Sequence, residues 1–141
     1  MTFAVASDSF KDGDYLAQDH VLSAEFGFGC AGGNRSPHLK WSNAPAGTKS
    51  FAVTCYDPDA PTGSGFWHWV VVNIPPSVTE LALDTGNPKS GKLPAGALQT
   101  RTDYGAAAPA RQRAITRPAI SSRFTPSAST SSTPPPTPRR R

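Results

Sequence analysis

Cysteine is scarce in this chain of 141 residues: only Cys30 and Cys55 are present. Two thiols are too few for a small secreted scaffold held by several bridges. They are expected to be reduced and to pack as small apolar groups, with a Cys30–Cys55 bridge as the minor alternative. No C-x-x-C pair occurs, which removes zinc-ribbon and thioredoxin-like arrangements. His20, His38 and His68 are irregularly spaced among the acids, so no metal site and no cofactor are expected. Long apolar runs are lacking as well. None approaches the roughly 20 residues of a spanning helix, so integral membrane association is not expected. The stretch Met1 to Phe10 has neither a basic n-region nor a long apolar h-region. No secretory signal is expected, and the reading is cytoplasmic.

Acidic residues are missing from one part of the chain only. Residues 1–105 hold seven Lys/Arg against ten Asp/Glu, a formal charge of −3. Residues 106–141 hold seven Arg and no acid, a charge of +7, and the whole is +4. The basic pI belongs to the second part and gives no reason to assign nucleic acid to the first. From Ala106 onward there is also no Gly, Lys, Trp, Tyr or Cys. Such a composition buries too little apolar area to offset chain entropy, so residues 106–141 read as a disordered Arg/Pro/Ser/Thr-rich tail.

Within 1–105 the pattern is one of short strands. Phe3 to Ser7 reads as a strand, Lys11 to Asp14 as a turn, and residues 19–29 as including another short strand. His38 to Trp41 is extended. Phe51, Val53 and Cys55 alternate within Lys49 to Tyr56, which marks a strand with one buried face. Phe66 to Ile74 is apolar on both faces except at His68, as expected of a central strand covered on both sides. Pro75-Pro76 ends it. Val78 to Leu83 suits a short helical turn, Asp84 to Gly91 a loop, and Leu93 to Thr102 is mixed. Strands separated by Gly/Pro turns predict an all-β antiparallel sandwich.

The chemistry concentrates in Tyr56-Asp57-Pro58-Asp59-Ala60-Pro61 and in Gly65-Phe66-Trp67-His68-Trp69, which read as two walls of a small polar pocket. Asp57 and Asp59 lie between prolines that fix the backbone. By themselves they would be turn residues accepting backbone N–H groups. His68, a polar residue in a buried strand, must find a partner or line a cavity. Trp67 and Trp69 are expected to pack, on opposite faces of the strand. Phe66 borders the pocket or packs. Asn34, Ser36 and Pro37 shape a loop, with Ser36 a potential donor.

Five collinear runs resemble the phosphatidylethanolamine-binding protein family in its bacterial Raf-kinase-inhibitor-like branch. They are Gly33 to Trp41, Pro45 to Ser50, Tyr56 to Pro61, Gly65 to Pro75, and Leu98 to Gly105. The resemblance implies a β-sandwich with an anion pocket at one end. Its ligands would be phosphate-containing small molecules or phosphorylated groups, and a kinase-regulatory role would follow. Asp57, Asp59 and His68 stand at the family's pocket positions, with Phe66 beside them, and a homodimer is left open. The implied mechanism is recognition, not catalysis: donors converge on an anion and the aspartates orient them. The rival is a hydrolase with His68 and Asp57 or Asp59 as acid and base. A Ser36–His68–Asp57 triad lacks a nucleophile elbow.

The family pattern continues with Pro-Pro-x-Gly-Asp-His-Pro-x-Arg-Tyr and a core strand, which this sequence does not show. Shifted by one base, codons for Pro109 to Thr116 permit Cys-Pro-Pro-Ala-Gly-Asp-His. Those for Arg117 to Ser127 permit Pro-Pro-Arg-Tyr and a strand-like run. A single frame change near Gly105 to Ala108 is therefore expected. It would leave an incomplete domain of marginal stability.

Overall fold

The computed structural model describes residues 1–26 and 29–104. The expectations of a disordered tail and of a frame change lie outside the described residues. Six strands form in chain order: β1 (Ala4–Ala6), β2 (Leu39–Ser42), β3 (Phe51–Asp57), β4 (Phe66–Ile74), β5 (Glu80–Leu81) and β6 (Leu98–Gln99). They make two antiparallel three-stranded sheets, β1-β2-β5 and β3-β4-β6. Leu39, Trp41 and Leu81 from the first sheet meet Phe51, Val53, Trp69, Val71 and Ile74 from the second, with Ala97 beside them. This is the expected sandwich. Burying each such aliphatic or Phe side chain contributes about 1.5–3 kcal/mol. Phe51 anchors the centre, stacked on Phe3 and edge-on to Trp41.

Three expectations change. The segment 19–29 holds no strand among its described residues; it forms 3₁₀ turns at Gln18–His20 and Ala24–Phe26. The backbone oxygens of Gln18, Asp19, Val21 and Leu22 are taken instead by the amides of Gly33, Arg35, Asn34 and Gly32. The helical turn expected over Val78 to Leu83 is a strand, because Glu80 and Leu81 pair with Lys40 and Leu39 of β2. Two residues of ladder with Leu81 driven into the core outweigh a weak local helical preference. Finally, β4 is central in its sheet, but among the described residues it is not covered on both faces. Val70 and Val72 are half-buried and Trp67 is 42% exposed.

The β3–β4 ladder explains how one strand serves two purposes. Cys55 pairs with Trp69, but the next residue, Tyr56, pairs with Trp67. His68 is therefore an extra residue on β4, a β-bulge. A second bulge lies between the Val53–Val71 and Phe51–Ile74 pairs, where Asn73 adopts φ 56°. Strict alternation would place Trp67 and Trp69 on the same face. The bulge separates them, as expected from the sequence but for a different reason. Trp69 goes to the core, Trp67 goes outside, and His68 is buried beside Trp69.

Candidate functional site

β3 ends at Asp57, whose side chain is buried. Its Oδ1 accepts the backbone N–H of Asp59 at 3.0 Å, the local turn bond that an Asp before Pro58 favours. The hairpin then returns through Gly65, at φ 76°, with the Tyr56 hydroxyl donating to the Ser64 carbonyl at 2.6 Å. A side chain at Gly65 would overlap the Tyr56 ring and hydroxyl. Glycine thus lets β4 begin directly against β3, with Phe66 opposite Asp57.

His68 is 1% exposed. Its Nε2 lies 3.7 Å from Asp57 Oδ2, close but longer than a hydrogen bond. On the other side of the ring, Nδ1 is 2.7 Å from the Tyr104 hydroxyl. The Phe66 ring sits 5.1 Å from the His68 ring and 4.8 Å from that of Tyr104, tilted or edge-on to each. The bulge places His68 on the same side as Asp57, where steady alternation would have put it with Tyr56.

Of the residues singled out in the sequence, Asp57, Phe66 and His68 come together. Asp59 stands apart: it is exposed on the turn, and its described link to the site is its backbone N–H. Ser36 is fully buried, and its Oγ accepts the Gly86 N–H at 2.8 Å.

Tyr104 received no role from the sequence. Its place depends on a segment running antiparallel to β4 beyond β6. Thr100 N–H donates to Val70 O, and Asp103 N–H to Trp67 O. The Asp103 carboxylate accepts Trp67 N–H at 2.7 Å. Asp103 thus grips β4 one residue from His68 and delivers the next side chain onto the imidazole. The available signal was the Leu98 to Gly105 run, which placed both residues in the family pattern without assigning a contact.

The cluster combines a ring that donates or accepts at two nitrogens, a carboxylate that only accepts, and a phenol that does either. Aromatic faces border it. Such a set can bind and orient a polar group or move a proton. Among the described residues no group of three or more His, Cys, Asp or Glu side chains is arranged to hold a metal ion. Cys30 and Cys55 are not joined in a disulfide. No described helix is long and apolar enough to cross a membrane.

Comparison with known proteins adds four findings. The profile described as phosphatidylethanolamine-binding protein matches residues 6–127. The UPF0098 protein YbcL of Escherichia coli K12 is 60% identical over 103 residues, 73% of this chain and 55% of the relative. The UPF0098 protein YbhB of the same organism is 56% identical over 99 residues, 70% of this chain and 60% of the relative. The crystal structure of E. coli YbcL, described as a new member of the mammalian PEBP family, superposes with a TM-score of 0.69. That match covers 73% of this chain and 61% of the other. The chain therefore spans little more than half the length of these curated relatives.

Proposed function

The chain belongs to the phosphatidylethanolamine-binding protein family, and on that premise we propose that it binds phosphate or phosphorylated small ligands at the Asp57–His68–Tyr104 cluster. The observation carrying this reading is the buried His68 held between Tyr104 and Asp57, with Phe66 against its ring. An imidazole so placed supplies a directed N–H to an anionic oxygen, and the carboxylate orients it. The aromatic rings give the ligand's substituent an apolar border. The same site would serve a phosphorylated side chain, which is how a kinase-regulatory role enters the proposal.

Recognition without turnover is the favoured mechanism. Ser36, the nucleophile that a triad would need, is occupied by Gly86, and no other described contact supplies one. The test is calorimetric titration of the purified chain with phenyl phosphate, with a parallel assay for phenol release. Saturable binding without release, abolished in His68→Ala, supports the proposal. Phenol release that disappears in the same variant makes the protein a hydrolase. Absence of binding overturns the reading.

A further inference from the structure

We propose that His38 is a pH-operated clasp on the end of β1. Neutral, it accepts the Asp8 backbone amide; protonated, it donates to the Asp8 carboxylate instead, and the Ser7–Asp8 peptide turns over. His38 directly precedes β2 of the first sheet, whereas the Asp57–His68 cluster belongs to the second. The clasp does not depend on the phosphate-binding reading.

The neutral state is fixed by a group that can only donate. The Asp8 backbone N–H meets His38 Nδ1 at 3.1 Å. Nδ1 therefore holds a lone pair, and the ring hydrogen of neutral His38 sits on Nε2. That nitrogen lies 3.7 Å from Glu80 Oε2, on the strand that pairs with β2. The His38 side chain is only 15% exposed. Further bonds hold residues 7–9 against it whatever the charge on the ring. Ser7 Oγ donates to the His38 carbonyl, His38 N–H to Ser9 Oγ, and Ser9 N–H to Ser7 Oγ.

Protonation puts a hydrogen on Nδ1, which then meets Asp8 N–H donor against donor. That bond cannot survive. Its replacement is already in place, because Lys40 Nζ holds Asp8 Oδ1 at 2.6 Å and leaves Oδ2 3.5 Å from Nδ1. A shift of less than about 1 Å brings Oδ2 within the range of a charge-assisted hydrogen bond. One residue thus offers a donor to one state of the ring and an acceptor to the other.

The charged groups facing His38 are Asp8 from the segment after β1, Glu80 from β5, and Lys40 from β2. Asp8 and Glu80 attract the added charge; Lys40, bound to Asp8, repels it.

The exchange reaches a surface cavity of about 290 Å³, which β1 lines with Ala4, Val5 and Ala6 together with Lys40, Thr79 and Glu80. Turning the Ser7–Asp8 peptide alters the end of that β1 wall. Engaging both carboxylates reduces the negative charge on this face. His38 thus ties the shape and charge of the face to pH between about 5 and 8, where histidine changes charge.

The experiment follows the full chain by nitrogen–proton NMR from pH 8 to pH 5, reading the His38 ring nitrogens and the Asp8 amide together. At pH 8 the ring is expected to carry its hydrogen on Nε2. As the ring takes up its second proton, the Asp8 amide should shift with the same midpoint. Its exchange with solvent, relative to the intrinsic rate at each pH, should become roughly tenfold faster, as the loss of one net hydrogen bond implies. His38→Gln keeps an acceptor that cannot be protonated, and its Asp8 amide should show no transition over this range, with the thermal transition retained. A ring hydrogen on Nδ1 at pH 8, or an Asp8 amide that does not follow the ring, overturns the proposal. An amide transition unchanged in His38→Gln overturns it as well. Should that variant fail to fold, the wild-type titration alone decides.

Discussion

Tyr56 faces Trp67 across the β3–β4 ladder, their ring centroids 4.6 Å apart and one step out of register with the neighbouring Cys55–Trp69 pair. That shift leaves His68 as the bulged residue and turns it inward beside Asp57. Bulges beside functional sites re-aim side chains at little cost to the rest of the ladder. The outward Tyr56–Trp67 pair covers the hairpin from outside, while Asp57 and Phe66 face inward.

Gly65 makes that hairpin possible. Gly65→Ala would place a Cβ at φ 76° and against the Tyr56 ring. The left-handed backbone costs about 1–2 kcal/mol and the overlap about 1–3 kcal/mol more. Urea denaturation should show a loss of that order, with part regained in Gly65→Ala/Tyr56→Ala. An unchanged midpoint in the single variant would show that the hairpin does not depend on this glycine.

Gly86 is clamped at both ends of its peptide groups. Its N–H donates to Ser36 Oγ, and its carbonyl accepts Gln99 Nε2 at 2.9 Å. Gln99 Oε1 in turn accepts Trp69 Nε1–H at 2.7 Å. Ser36→Ala leaves a buried donor without its acceptor and is expected to cost about 1–3 kcal/mol. Phosphate affinity should remain within twofold of wild type. A large loss of affinity with stability intact would assign Ser36 to ligand binding instead.

On the outer face of the first sheet, Lys40 Nζ lies 2.6 Å from Asp8 Oδ1. The hydrogen bond from Lys40, then its charge and that of His38, hold the Asp8 carboxyl below its ordinary 3.8. A depressed carboxyl stabilises the folded chain above the unfolded value and loses that contribution as pH falls through the folded one. The window therefore lies below about pH 4. Asp8 is fully exposed, so the effect on stability is small. Carboxyl-carbon NMR should place the Asp8 midpoint lower in wild type than in Lys40→Gln. Equal midpoints would remove Lys40 as the cause.

The frame-change reading is tested without protein. The coding DNA, read one base out of step beyond Gly105, is expected to encode Cys-Pro-Pro-Ala-Gly-Asp-His followed by Pro-Pro-Arg-Tyr. Any other translation removes the idea.

Much of this was legible in the sequence. Phe51, Val53 and Cys55 alternate, and β3 forms where they do. The apolar run from Phe66 to Ile74 gave β4 with its observed ends. Less legible were elements whose residues have no strong local preference. Glu80-Leu81 became a strand because β2 offers it a partner, and Gln18–His20 became a turn because residues 32–35 take its carbonyls. Asp59 shows a different limit: a motif names two aspartates alike, but the turn buries one and exposes the other.

By itself, the sequence determined the strand pattern, the hairpin chemistry at Asp57-Pro58-Asp59, and the family through its collinear motifs. These depend on local periodicity, turn preference and residue order. Only the tertiary structure decided that His68 faces Asp57 and meets Tyr104. Those relationships depend on a one-residue register shift between strands and on an approach across 36 positions of chain. Neither is set by local preference. Both arise when β4 pairs with β3 on one side and with the segment through Asp103 on the other.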